Sequence, residues 1–507
     1  MKSIPSISSI RLIVIGAVFF SVPLQASAQR VLSLDSCRTL AIGNNKTLGI
    51  SRVGRGMAEE VRKAARTDYL PKLDAVGTYQ YTSRKISLLS KGQKKELAHL
   101  GDGMASQLQG DLSNTLPGLV QQGAITAAQA QAISNFASQI APRATSALNG
   151  VGQQLRDAFN TNTHNIFGGD FMVRQPVFMG GAIKAENKAA DINVRIADDN
   201  IDLMTQNTLY DVDQAYWLVV SLRQKQILAQ QYLDLVRKLH DDVTKMLGQG
   251  VATKSDELRV AVRVNEAEMR QTQVDDGLVL SRMHLCQICG LDLDSDIKLA
   301  DEDNTVNTDT TYIPTDNLTI HNDNRPELRL LGNAIELSEQ NTVITRAAFL
   351  PQLLATGGYM FSTPNVLNGY RNSLSGLFHV GVTLRIPVWN WGEGKHKVRA
   401  SKAATAMAKL ELADTRENID LQVQQAEFRV KEAYKRQSMA RHNLASADEN
   451  LRCANLGFKE GVMQTTDVME AQTAWQSAQS QKIDADIDVR MAHVNLSKAL
   501  GTLTLHQ

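Results

Sequence analysis

Few residues in this sequence have the type and spacing to do chemistry. Cys286 and Cys289 form one C-x-x-C beside His284, a spacing that serves a disulfide or half of a metal site. No second pair of ligands accompanies them, and their place at the end of an amphipathic helix favours small buried residues instead. Cys453 stands alone. Cys37 has Leu34 three residues before it, but Asp35 and Ser36 intervene and the apolar run ends far upstream, so lipidation is rejected. Asp467 and Glu470 stand at i and i+3 and share one helical face. Repeated around a symmetric assembly they would form stacked acidic rings; alone they would favour the dipole of a helix start. The motifs G-x-S-x-G, H-E-x-x-H and G-x-x-x-x-G-K-[ST] are absent, and the ten histidines are scattered. The sequence argues against an enzyme and implies no cofactor and no bound metal.

The 507 residues carry 54 Lys+Arg against 53 Asp+Glu, a net charge of +1, with 43% apolar and 5% aromatic residues. Near neutrality without a basic segment sets nucleic acid aside. Scarce aromatics with recurrent Ala and Gln favour long narrow helices over thick globules. At the N-terminus, Lys2 and Arg11 precede the apolar run Leu12 to Val22, and Ala26-Ser27-Ala28 follows in a small-x-small pattern. Residues 1–28 therefore read as a cleaved export signal, the apolar run being too short for a spanning helix, which needs roughly 20 residues.

The elements that carry these residues come in two copies. Tyr69-Leu70-Pro71-Lys72-Leu73 is answered by Phe349-Leu350-Pro351-Gln352-Leu353, 280 residues later, and Asn44 to Leu48 match Asn324 to Leu328 at the same offset. Further on, Gln175-Pro176-Val177-Phe178 matches Ile386-Pro387-Val388-Trp389 at 211 residues, and Gly250, Asp256 and Gly290 match Gly461, Asp467 and Gly501 at that spacing. The first copy thus holds 69 extra residues between Pro71 and Pro176. The expected organisation is a first repeat over 29–290 with an insertion at about 84–164, an inter-repeat segment at 291–323, a second repeat over 324–501 and a tail at 502–507.

Each copy reads helix, strand, loop, strand, long helix, turn, helix. Leu228, Tyr232, Leu235, Leu239, Val243 and Met246 step by three or four, the seam of a packed helix pair. The stretch Ala182 to Leu247 predicts about 100 Å of helix, flanked by two shorter helices end to end, Asp35 to Thr67 and Ser255 to Cys289. In the strands, Phe378, Val380, Val382, Leu384, Ile386 and Val388 alternate with His379, Gly381, Thr383, Arg385 and Pro387. Leu73, Ala75, Gly77, Tyr79 and Tyr81 alternate with Lys72, Asp74, Val76, Thr78 and Gln80. Twelve residues from Phe378 to Trp389 suffice for a transmembrane strand, which takes roughly 9 to 11. Four strands cannot close a barrel alone, since single-chain barrels start at about eight and an open edge in lipid leaves backbone groups unpaired. Copies must share it.

With these features the sequence resembles the TolC-like outer-membrane efflux protein family. The resemblance is carried by Leu32-Ser33-Leu34 with Leu40-Ala41 and Asn44-Asn45, by the two Leu-Pro pairs, and by Pro387 with Trp389 and Gly392. Toward the C-terminus it continues through Gly461-Val462, Asp467-Val468, Ala471-Gln472 and Ala499 to Leu503. It implies an α+β membrane protein: a homotrimer sharing a 12-stranded transmembrane β-barrel, four strands per protomer, continued by a long antiparallel α-helical periplasmic tunnel. Such proteins are exit ducts of tripartite efflux pumps or of type I protein secretion systems, seated in outer-membrane lipid. Their partners are a periplasmic adaptor (membrane fusion) protein and an inner-membrane transporter. A soluble periplasmic helical scaffold or adaptor is the alternative of another class; the duplicated apolar-faced strands argue against it.

The resemblance also places function. Gly248, Gly250, Gly457 and Gly461 mark the two helix turns at the periplasmic end, where an adaptor would dock. Asp467 and Glu470, just beyond the second turn, would line a cation-selective constriction. The first copy has Asp256 but puts Arg259 where Glu470 falls, so its acid can be locally paired. Positions that hold a tyrosine and an arginine in relatives carry Phe458 and Met463, so closure would rest on packing. Pro71, Pro176, Pro351 and Pro387 mark strand-helix junctions. The insertion shows helical spacing at Leu97, Leu100, Met104, Leu108 and Leu112 and at Ile125, Gln129, Ile133, Phe136 and Ile140, predicting ordered helices on the cell surface.

Overall fold

The computed structural model describes residues 30–84, 89–159, 164–303, 325–365 and 373–505. The expected export signal and residues 304–323 of the inter-repeat segment lie outside the described residues. The order is β1 (Arg30–Leu32), α1 (Leu34–Asn44), α2 (Lys46–Arg66), β2 (Lys72–Tyr81), α3 (Lys91–Ala98), α4 (Leu100–Gln121), α5 (Ala127–Ala158), β3 (Asn165–Met179), α6 (Ala182–Gly248) and α7 (Lys254–Cys289). There follow β4 (Ile297–Leu299), α8 (Pro326–Ala347), β5 (Gln352–Thr363), β6 (Ser375–Arg385), α9 (Glu393–Lys459) and α10 (Thr465–Ala499). The duplication is visible in the elements themselves. Helices α6 and α9 each run 67 residues, and α7 and α10 run 36 and 35.

The chain divides into two compact units. One takes the described parts of Met1–Ala58, Val194–Ala334 and Ala408–Gln507. It is helical apart from β1 and β4, which pair in parallel and were not anticipated. Its cores are seams between helices. Tyr232, Leu239 and Val243 of the expected seam are buried, with Leu233 and Val236 widening it, and they pack with Val260, Leu451 and Val468. The single helix expected over Asp35 to Thr67 is interrupted at Asn45, whose extended backbone ends α1. The Asn45 side chain accepts the Thr47 and Leu48 amides at 2.9 and 3.2 Å, starting α2 as an N-cap does.

The second unit takes Glu59–Asn193 and Ile335–Met407. It contains an antiparallel sheet in the order β2-β3-β5-β6. Pairing Leu73 with Val173, Phe171 with Tyr359, Gly357 with Val380 and Leu353 with Leu384 aligns one parity of all four strands on one face. That face is apolar apart from Asn165, Gln175 and Thr363 toward the strand ends. The other parity carries Lys72, Asp74, Asp170, Arg174, Thr356, His379 and Thr383, with an ion pair between Arg174 and Asp74 across two strands.

Two strand ends differ from expectation. Pro176 lies inside β3, not at a junction, where a register shift between Pro176 and Phe178 sets Val177 aside and returns Phe178 to a position opposite Leu353. A bulge tolerates the missing proline N–H. Strand β6 begins earlier than Phe378 and ends at Arg385, opposite Gln352, so Ile386 to Trp389 find no partner strand beyond Pro351. Pro71, Pro351 and Pro387 do stand between elements.

The insertion holds α3, α4 and α5. The break at His99 divides the first periodic stretch, and Thr126 caps α5 with a reciprocal Gln129 bond, leaving Ile125 outside. Helices meet closely at small residues: Gly101 lies against the Thr145 carbonyl and Gly152 against that of Leu97. Larger apolar side chains such as Met104, Leu108 and Phe136 are exposed.

Candidate functional site

Two features could make a passage, one in each unit. The first is the sheet. Leu73, Tyr79, Phe171, Phe378, Val380 and Val382 on its apolar face are all at least half exposed in the single chain. Rings pair on that face, Tyr79 with Phe167 at 4.8 Å and Phe171 with Phe361 at 6.2 Å between centroids. Strands β2 and β6 each pair on one side only among the described residues. An apolar exterior, a polar opposite face and two open edges are what one segment of a membrane barrel presents. Just past β6, Trp389 and Trp391 are 75% and 87% exposed and meet edge to face at 5.6 Å. Amphipathic rings so placed suit a membrane-water boundary.

The second feature is the pair of helix turns. After α6, Gly250 adopts φ +73° while its amide reaches the Leu247 carbonyl at 3.0 Å and the Val251 amide reaches that of Met246 at 2.9 Å. After α9, Gly461 adopts φ +74°, its amide bonding Phe458 at 3.1 Å and the Val462 amide bonding Gly457 at 2.8 Å. Both are Schellman ends, residue for residue at the repeat offset. Of the four glycines marked in the sequence, Gly250 and Gly461 supply the left-handed backbone. Gly457 makes room for Met463, whose Sδ would lie 3.0 Å from an added Cβ. Gly248 is the last residue of α6, with open space where a Cβ would stand. Phe458 packs against the core of Tyr232, Val243 and Val468.

The acids sit where the returning helices begin. Asp467 accepts the Gln464 amide at 2.9 Å, capping α10, and both Asp467 and Glu470 are exposed, with no ion pair among the described residues. In the first copy the Thr253 amide and hydroxyl donate to Asp256 at 3.1 and 2.6 Å. The Thr253 hydroxyl, then its amide, hold the Asp256 carboxyl below the usual range, and Arg259 acts last and least. The local pairing expected through Arg259 is therefore a capping box instead. Capping explains why both copies keep an aspartate; it does not explain Glu470.

Sequence reasoning missed the groups that fix the helices leading to these turns. Arg38 of α1 bonds Asp213 of α6 at both carboxylate oxygens, 2.8 and 2.6 Å, and both residues are buried. Asp486 receives Gln437 and Lys482 at 2.7 Å each. A charged residue inside an apolar stripe was the available signal, though it does not name the partner.

The profile of the family described as "Outer membrane efflux protein" matches residues 148–291 and 321–502. The chain is 23% identical over 344 residues to the outer membrane efflux protein BepC of Brucella suis, covering 66% of this chain and 72% of that protein. In fold it is similar to the outer membrane protein VceC of Vibrio cholerae, with a TM-score of 0.69 at 12% identity over 92% of this chain and 96% of the other. It is similar also to the CmeC outer membrane channel of Campylobacter jejuni, with a TM-score of 0.67 at 13% identity over 94% and 87%.

Proposed function

The chain belongs to the outer membrane efflux protein family and is an efflux channel of the Gram-negative outer membrane, and from that premise we propose how its parts serve transport. Three copies close one barrel, each adding its four strands through the open edges of β2 and β6. The apolar face meets lipid and the face carrying Asp74, Arg174 and His379 lines the water-filled passage. The helices continue the passage through the periplasm, and the turns at Gly250 and Gly461 dock a periplasmic adaptor that joins the channel to an inner-membrane transporter. Small molecules are the cargo.

Asp467 and Glu470 line the periplasmic constriction. In a trimer each residue recurs three times, so exposed acids without cationic partners among the described residues give a negative ring that favours cations. The insertion between β2 and β3 stands at the cell surface, because it joins two barrel strands at the ends away from the strand-helix junctions.

The observation that carries the reading is the sheet: one largely apolar, exposed face beside two edges unpaired among the described residues. Conductance across a planar bilayer tests it. The purified protein should give discrete steps, enlarged or stabilised by the cognate adaptor. A bilayer left electrically silent by correctly folded protein, with and without adaptor, would refute it.

A further inference from the structure

Three thiols meet in the core around the first described helix. Cys37 of α1 and Cys286 and Cys289 at the end of α7 are fully buried in one cluster with Leu32, Tyr216 and Leu285. The Cys289 Sγ lies 3.6 Å from the carbonyl oxygen of Cys37, although 252 residues separate the two in sequence. A hydrogen bond with the Cys37 thiol holds the Cys289 thiol below its ordinary pKa, whereas burial first, and Cys289 second, push Cys286 up. Cys37 and Cys289 are thus the contacting pair and Cys286 the bystander. Small apolar character accounts for one buried cysteine. It gives no reason for two from distant segments to touch. An outer-membrane protein folds in an oxidising compartment, where such pairs are converted to disulfides.

We propose that Cys37 and Cys289 are a disulfide site that staples α1 to the end of α7 in the exported protein. The oxidant is an external disulfide, protein or small molecule, met before the core closes. The Cys289 thiolate attacks one sulfur of that disulfide, forming a mixed disulfide and releasing the other sulfur as a thiolate. The Cys37 thiolate then attacks the Cys289 sulfur, forming the Cys37–Cys289 bond and expelling the oxidant's second sulfur. Two electrons pass to the oxidant, which leaves as its dithiol once it takes up the two protons lost by the cysteines. Cys286 stays a thiol. The bond fixes α1, and with it the β1–β4 pair, onto the helix that returns from the first turn.

The test needs only the wild-type chain, extracted from outer membranes, denatured in the presence of a maleimide without reductant, digested and weighed. Of the four cysteines, Cys286 and Cys453 should be labelled, and Cys37 and Cys289 should appear joined in one peptide that dithiothreitol separates. Labels per chain should rise from two to four on reduction. Four labels without reductant, or a bond between Cys286 and Cys289, would overturn the proposal. Two variants sharpen it: Cys286→Ser should keep the joined peptide, and Cys37→Ser should expose Cys289 to label. Loss of the joined peptide in Cys286→Ser would also overturn the assignment.

Discussion

Asp467 and Glu470 show what a pair of residues can and cannot reveal. Their spacing was legible in the sequence, and so was the absence of a lysine or arginine in the first turn of α10. The capping bond from the Gln464 amide to Asp467 was legible only in outline, as the favourable effect of an acid at a helix start. Asp467→Asn with Glu470→Gln should lower cation preference and change unit conductance in single-channel recordings; unchanged values would remove these acids from the constriction. Arg38 and Asp213 were not legible at all, because a pair 175 residues apart is created by tertiary packing. Breaking a buried pair strands a charge and typically costs about 3–5 kcal/mol. Asp213→Asn should therefore lower the thermal midpoint of the assembled protein markedly, while Arg38→Met with Asp213→Leu together should recover most of the loss.

Among the elements, periodicity predicted the long helices and the strands well because their faces are repetitive over many residues. It failed at interruptions. Asn45 looks like any helix residue until its side chain is seen accepting two amides, and Pro176 looks like a boundary until the bulge beside Phe178 absorbs it. The three-residue strands β1 and β4 are too short to carry a period. The turns allow a sharper test. Gly250 and Gly461 hold left-handed conformations that a side chain disfavours by roughly 1–2 kcal/mol, so alanine at either should destabilise. Gly248 is helical with open space around it, and alanine there should be neutral or stabilising by up to about 1 kcal/mol. Thermal melts of the three variants check the contrast. Protease added to intact cells should cut within 84–164 before any other segment; first cleavage at Gly250 or Gly461 would invert the topology.

At the scale of the whole molecule, the duplication makes four strands and two sets of long helices, and neither a closed sheet nor a sealed passage follows from one copy. Completion by other copies is the physical requirement of every open edge placed in lipid. The apolar face and the two edges are therefore the central claim, since constriction, docking turns and cell-surface insertion all presuppose a closed barrel. Native mass spectrometry of the detergent-extracted particle that conducts in bilayers tests this most directly. The account predicts three identical chains per particle. A conducting particle of one chain, or a monodisperse monomer that leaves reconstituted vesicles tight, would contradict it.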